Sequence, residues 1–194
     1  MSKAEIQKLK RRIERLEREK RALQKIAKFD FLTGFYNKKE LFFVLKRIIG
    51  SQRVKNKRMT RPKISSTLVL VDLDHFKAIN DCYGHDIGDQ LLMKIADFFK
   101  NNLRFSDLLF RYGGEEFAII FYGLKAKIAY QVCERLRSSL SQQTFFCRPH
   151  HLKITASFGV YALQDKNSPS QAIQRADKAL YRAKKSRNKT VIYQ

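Results

Sequence analysis

The chain has 194 residues, 44% apolar and 30% charged, a composition that fits one globular domain with an appendage and excludes disorder along the whole length. A domain of this size buries roughly 70% of the surface its unfolded chain exposes, so no metal or disulfide staple is needed for folding. Lys and Arg number 40 against 18 Asp and Glu, a net charge of +22; this favours polyanionic partners (nucleotides, nucleic acid or an anionic membrane surface) without choosing among them. Cys82, Cys133 and Cys147 form no C-x-x-C pair, which argues against a disulfide framework or zinc ribbon and for buried, inert thiols in a reducing compartment. No stretch reaches the roughly 18 consecutive apolar residues of a membrane-spanning helix, and the basic N-terminus is followed by further charge rather than by the apolar segment of a secretory signal. The expected location is the cytoplasm.

In chain order, Lys3 to Lys28 lacks Gly and Pro and sets Ile6, Leu9, Ile13, Leu16, Leu23 and Ala27 at heptad a and d positions, with Lys20 at an a position. That predicts a short coiled coil, residues 1–29, serving as a stalk that pairs with a second copy to give a homodimer; the alternative is an amphipathic helix lying on its own domain. Residues 30–194 form the predicted domain. After the turn-like Asp30 to Gly34, Asn37 as N-cap with Glu40 three residues on, a capping-box arrangement, signals a helix running to about Gly50. Ser51 to Lys63, basic, acid-free and containing Pro62, predicts an exposed loop. Thr67 to Val71 predicts a buried strand, and the spacing from Gly88 to Asn101 a helix. Leu108 to Tyr112 and Phe117 to Tyr122 flank Gly113-Gly114, a β-hairpin signal. A helix follows from Lys125 to Leu140, then a half-buried strand from Lys153 to Ala162, a helix opened by Ser168-Pro169 and running to about Lys185, and a closing strand at Thr190 to Tyr193. This order predicts an α+β fold whose central sheet is rich in antiparallel pairs and covered on one face by helices.

Acids are scarce in this sequence, so their positions inform. Asp72 and Asp74 end the first buried strand, and Glu115 and Glu116 stand at the mouth of the hairpin. If the two strands are neighbours, the carboxylates converge and repel unless a cation joins them, a hard-oxygen arrangement suited to Mg²⁺ and substrate phosphates. The plainer alternative is an acidic edge paired with Lys and Arg. Gly113 and Gly114 let a bulky substrate approach the backbone without meeting a Cβ.

Arg111-Tyr112-Gly113-Gly114-Glu115-Glu116-Phe117 resembles the signature of the GGDEF family of diguanylate cyclases in its GGEEF form. Further blocks agree in order and spacing: Asp30 to Gly34 with Asn37, Asp72 to Lys77 with Asn80 and Asp81, Gly84 to Asp89, and Ala176 to Lys184. The resemblance covers Asp30 to the C-terminus. It implies a fold similar to the polymerase palm and class III nucleotide cyclases, and the condensation of two GTP into cyclic di-GMP with release of two pyrophosphates, each subunit of a dimer holding one GTP. It further implies Mg²⁺ or Mn²⁺, two ions per site, on Asp72, the Leu73 carbonyl, Glu116 and Glu115, with Glu115 also the catalytic carboxylate. Asn80 and Asp89 match positions that recognise guanine. Phe76, Lys77, His85, Gly113 and Gly114 match positions around the nucleotide, and Lys184 and Arg187 match positions that reach its phosphates. Arg104 and Asp107 resemble the family's R-x-x-D inhibitory site for the cyclic di-GMP product.

The chain departs from the family pattern at Ala183-Lys184-Lys185-Ser186-Arg187-Asn188, one residue short and without the usual Gly, which puts the register of Lys184 and Arg187 in doubt. The competing reading is a catalytically idle domain that acts as a receptor for cyclic di-GMP or GTP. Specific nucleic-acid binding has only the net charge in its favour, since no base-reading motif is present.

Overall fold

The computed structural model describes residues 3–53, 65–164 and 166–194. A sheet of six strands has the order β1(Tyr36–Asn37), β3(Leu108–Arg111), β4(Glu116–Tyr122), β2(Ser66–Leu73), β7(Ala156–Ala162) and β8(Thr190–Ile192). Its four central strands pair antiparallel, while β1 and β8 join the edges in parallel. The mixed sheet belongs to an α+β fold, as the element order predicts.

Helices cover both faces, where the sequence pattern predicts one. Val69 and Val71 of β2 and Phe117, Ile119 and Phe121 of β4 pack under α4(His85–Asn102) and α5(Ala126–Gln142). The alternate residues Leu68, Leu70, Ala118 and Ile120 pack under α2(Lys38–Arg53) and α6(Pro169–Lys184). For the same reason β7 is buried on both sides rather than half-buried, since successive side chains of a strand point to opposite faces and here both are covered. A Cβ at Gly159 of β7 would run into the backbone of α6 at Leu180 and Ala176. Glycine thus lets α6 lie directly on the strand and fixes where its C-terminal end arrives.

The structure shows the Asn37 half of the predicted capping box at α2 and a full box at α6. Asn37 Oδ1 accepts from the Glu40 N–H at 3.0 Å, and Ser168 and Gln171 form a reciprocal capping box at α6. Helix α2 runs on through Arg53, into the predicted basic loop, and the rest of that loop (54–64) lies outside the described residues. A short helix α3(Phe76–Tyr83) and a hairpin of β5(Phe145–Cys147) with β6(His150–Leu152) escape the sequence reading. Cys133 and Cys147 are buried, with burial pushing both thiols up, but Cys82 is exposed, against expectation.

Helix α1(Lys3–Lys28) carries its seam to solvent: Ile6, Ile13 and Leu16 are 42%, 55% and 51% exposed. At those positions it does not lie on its own domain. Its end is fastened to the sheet, because Asn37 Nδ2 donates to the Ala27 carbonyl at 3.0 Å and the Phe29 ring stacks on Tyr36 at 4.8 Å.

Candidate active site

The antiparallel register of β2 and β4 sets Asp72 opposite Glu116. Leu73 follows, its N–H donating to the Glu115 carbonyl at 3.4 Å. The two strands are therefore neighbours, and carboxylates from both meet at one end of the sheet. A Cβ at Gly113 would stand where the Glu116 carboxylate lies, so a side chain there would shift that acid. Burial raises the Glu116 pKa, Asp72, Glu115 and Asp177 raise it further, and Lys38 opposes them. Burial also raises Asp72, against the opposing pull of Lys184.

Lys184, on the last turn of α6, places its ammonium 2.5 Å from Asp72 Oδ1, 3.3 Å from the Leu73 carbonyl oxygen and 3.2 Å from Asp74 Oδ1. A cation held by carboxylates and a main-chain carbonyl shows that these oxygens suit a positive charge. Among the described residues no group of three His, Cys, Asp or Glu side chains forms a ready-made metal cage. A donor set of one or two carboxylates and a carbonyl fits Mg²⁺, which keeps water and substrate phosphates in its shell, better than a metal that demands an all-protein cage. Asp72, the Leu73 carbonyl and Glu116 are the residues that would hold it, with Glu115 alongside.

Asp74 has a different surrounding. It is nearly buried and accepts hydrogen bonds from Thr155 Oγ1 (2.8 Å), Ser157 Oγ (2.9 Å) and the Asn188 N–H (2.8 Å) as well as from Lys184. Burial alone would raise its pKa, but these donors lower it. The Asn188 contact explains how the shortened segment is accommodated. Arg187 and Asn188 take φ of 55° and 40°, the left-handed region that glycine enters freely and other residues at a cost of roughly 1–2 kcal/mol. Asp74 holds the Asn188 N–H, and Arg137 donates to the Asn188 side chain at 3.0 Å. Lys184, at the end of α6, and Asn188, just beyond the turn, thus meet on Asp74, while Arg187 stays exposed.

On the α3–α4 pair, Asn80 Oδ1 is buried with no hydrogen-bond partner and lies where a Cβ at Gly88 would stand. Asp89, Lys77 and His85 are exposed around it, and Phe76 is buried in the core with its ring end near Gly88. A buried amide oxygen without a partner, near an exposed carboxylate, has the chemistry to accept from N–H donors. Arg104 and Asp107 form a tight turn, the Arg104 N–H donating to Asp107 Oδ2 at 3.0 Å. They wall a hollow of about 410 Å³ together with Arg135, whose Nη2 donates to the Asn102 carbonyl at 3.1 Å. Burial raises the Asp107 pKa, against the pull of Arg104.

A family model described as the diguanylate cyclase GGDEF domain matches residues 27–190. The chain belongs to the GGDEF family. It is 38% identical over 178 residues to the diguanylate cyclase VdcA of Vibrio cholerae, covering 89% of this chain and 48% of that protein. To the diguanylate cyclase DgcP of Pseudomonas aeruginosa it is 35% identical over 159 residues, covering 81% of this chain and 22% of that one. The chain thus spans about half or less of these curated relatives. Among solved structures it resembles the coiled coil and GGDEF domain of DgcB from Caulobacter crescentus in complex with c-di-GMP, with a TM-score of 0.88, 27% identity and 97% of each chain covered. The diguanylate cyclase SiaD of Pseudomonas aeruginosa, solved with its activator SiaC, superposes with a TM-score of 0.78 at 33% identity over 97% of this chain and 71% of that one.

In this GGDEF domain several residues around the site have partners that no local sequence pattern shows. Arg111 ties Asp30 to the hairpin, with Nη1 3.2 Å from Asp30 Oδ1 and Nε and Nη2 donating to the Gly114 carbonyl at 3.1 and 2.9 Å. Both residues lie in the recognised blocks, but their partnership spans 81 positions and no local pattern shows it. Lys38, over the Tyr112 ring at 4.2 Å, and Arg135 are likewise brought in by the fold alone.

Proposed function

We propose that this chain is a metal-dependent diguanylate cyclase of the GGEEF form, condensing two GTP into cyclic di-GMP and two pyrophosphates. The observation that carries the reading is the Asp72 and Glu116 pair across the β2–β4 ladder, with the Lys184 ammonium resting on Asp72 and the Leu73 carbonyl. On this reading residues 1–29 are the stalk that pairs with a second copy, and each subunit's domain, residues 30–194, holds one GTP. What Mg²⁺ or Mn²⁺, two ions per site, supplies when held by Asp72, Leu73, Glu115 and Glu116 is neutralisation of phosphate charge and polarisation of the attacked phosphorus.

The residues divide the remaining work. Asn80 and Asp89 read the guanine edge, whose donors and acceptor adenine does not present. Lys77, His85 and the Gly113-Gly114 backbone position the nucleotide, with Phe76 beneath them, and Lys184 and Arg187 meet the triphosphate. Each 3′-hydroxyl attacks the α-phosphorus of the GTP on the other subunit; the bond from phosphorus to the pyrophosphate oxygen breaks, and the hydroxyl proton passes to Glu115. Holding the two nucleotides face to face replaces a rare encounter by an oriented one. Arg104 and Asp107 bind the product and restrain turnover, Arg104 contacting phosphate and guanine and Asp107 the base.

The test is chromatographic, on the protein incubated with GTP and Mg²⁺ and with Glu116→Gln as control. Cyclic di-GMP and pyrophosphate that vanish in the variant support the cyclase. No product at concentrations where the protein is dimeric would favour the receptor reading instead.

A further inference from the structure

The net charge of +22 is not absorbed by a site built on carboxylates. Helix α2 shows where part of it stands. Its inner residues Leu41, Val44, Leu45, Ile48 and Ile49 are buried against the sheet and α6. Its outer stripe, at helical spacing, is Lys39, Phe42, Phe43, Lys46 and Arg47, all exposed. Phe42 and Phe43 leave 42% and 53% of their surface in water. The one acid of the helix, Glu40, sits on its first turn beside the cap. Helix α6 packs beside α2 on the same sheet face and adds exposed Lys178, Tyr181 (67% exposed) and Arg182, with Lys185 just past its end and one exposed acid, Asp177.

A convex helix surface that sets adjacent aromatic rings among cations has the chemistry of an interfacial helix. Its rings enter the boundary between headgroups and acyl chains while its cations stay with anionic headgroups. We infer that the outer face of α2, flanked by α6, docks on an anionic phospholipid surface without spanning it. A second copy is a poor occupant, since two such faces would bring cation against cation. Nucleic acid would satisfy the charge, but rings standing on a convex helix offer no groove in which bases stack.

The chain contains no tryptophan, so Phe43→Trp creates a single fluorescent reporter. The full chain is mixed with vesicles of phosphatidylcholine alone or with about one-third phosphatidylserine, and binding is read by co-sedimentation and by the emission maximum. Expected are binding to the anionic vesicles only, a blue shift of the reporter on binding, and weakening by salt. Phe42→Ala with Phe43→Ala lowers the apparent affinity about tenfold or more, and Lys46→Glu with Arg47→Glu does the same, both with unchanged thermal melting. Three results overturn the inference: no binding to anionic vesicles, binding that the alanine pair leaves unchanged, or a reporter shift produced by duplex DNA or RNA, or by raising protein concentration, and not by vesicles.

Discussion

The acids whose pKa values are displaced, two of them two positions apart at one end of the sheet, fall into two classes with opposite surroundings. Asp72, Glu116 and Asp107 are each raised, burial being the largest cause, and their compensation is incomplete. Asp30, Asp74 and Glu134 are partly buried too, yet each is lowered, because donors outweigh burial: Thr33 and Arg111 for Asp30; Asn188, Thr155, Ser157 and Lys184 for Asp74; Arg137 for Glu134. A carboxylate held above its ordinary range is under tension that a cation or a donor-bearing ligand relieves. One held below it has its partners already and fastens the framework. Asp72 and Asp74, two positions apart, show that the distinction is drawn by tertiary contacts and not by residue type.

The sharpest way to break the comparison is to neutralise one acid of the first class. Glu116→Gln is expected to reduce cyclic di-GMP formation by about a thousandfold or more, since it removes a charge on which the proposed metal site depends. The same change relieves repulsion with Asp72, Glu115 and Asp177, so the variant melts at a temperature equal to or above the parent's. A variant that is inactive and also markedly less stable would place Glu116 in the second class. Beside the other raised acid, Asp107, Arg104→Ala is expected to leave turnover intact while weakening inhibition by added cyclic di-GMP about tenfold or more, because it deletes the charge-assisted contact to phosphate proposed for this residue. Unchanged inhibition would remove the product from that hollow.

Asp74→Asn inverts the expectation. Four donors converge on this nearly buried carboxylate, and weakening them costs about 3 kcal/mol, measured by urea unfolding. The loss also frees the left-handed turn at Arg187 and Asn188. A smaller effect, with its own pH signature, attends Asp30→Asn, which removes the ion pair by which Arg111 ties Asp30 to the hairpin. Asp30 is lowered in the fold, so its contribution is complete above the unfolded value, near pH 4, and is lost only as pH falls through the lower folded value. The parent should therefore exceed the variant by about 1 kcal/mol at pH 7 and keep that margin at about pH 5. A margin already gone at that pH would mean that Asp30 is not held by its partners.

Much of this was legible along the chain. The hairpin glycines, the Asn37 and Ser168 caps and the apolar spacing of the central helices act over a few residues, and the carboxylates stood out because acids are scarce. Coverage of both sheet faces was not legible, since Lys153 to Ala162 alternates in a way that suits one wet face, and only the packing of α6 on Gly159 reveals otherwise. The short α3 and the β5–β6 hairpin lacked the length that makes periodicity visible. The candidate site was legible in its residue types but not in its partnerships: Asp74 with Asn188 and Asp30 with Arg111 are joined across 114 and 81 positions.

The finest test lies where α1 meets the rest of the domain. Asn37 serves two helices at once: its Oδ1 accepts from the Glu40 N–H at the start of α2, and its Nδ2 donates to the Ala27 carbonyl near the end of α1. Its backbone lies in β1, paired beside Arg111, which in turn holds the Gly114 carbonyl. Asn37→Ala is expected to cost about 1 kcal/mol in unfolding free energy, the usual value of an N-cap. Asn37→Asp keeps the oxygen and loses the amide, so it restores the cap while leaving the Ala27 carbonyl without its donor. If the stalk acts on the hairpin through this joint, Asn37→Asp recovers stability but shows hydrogen exchange at Gly113 and Gly114 as fast as in Asn37→Ala. If Asn37 is a cap alone, the aspartate recovers both.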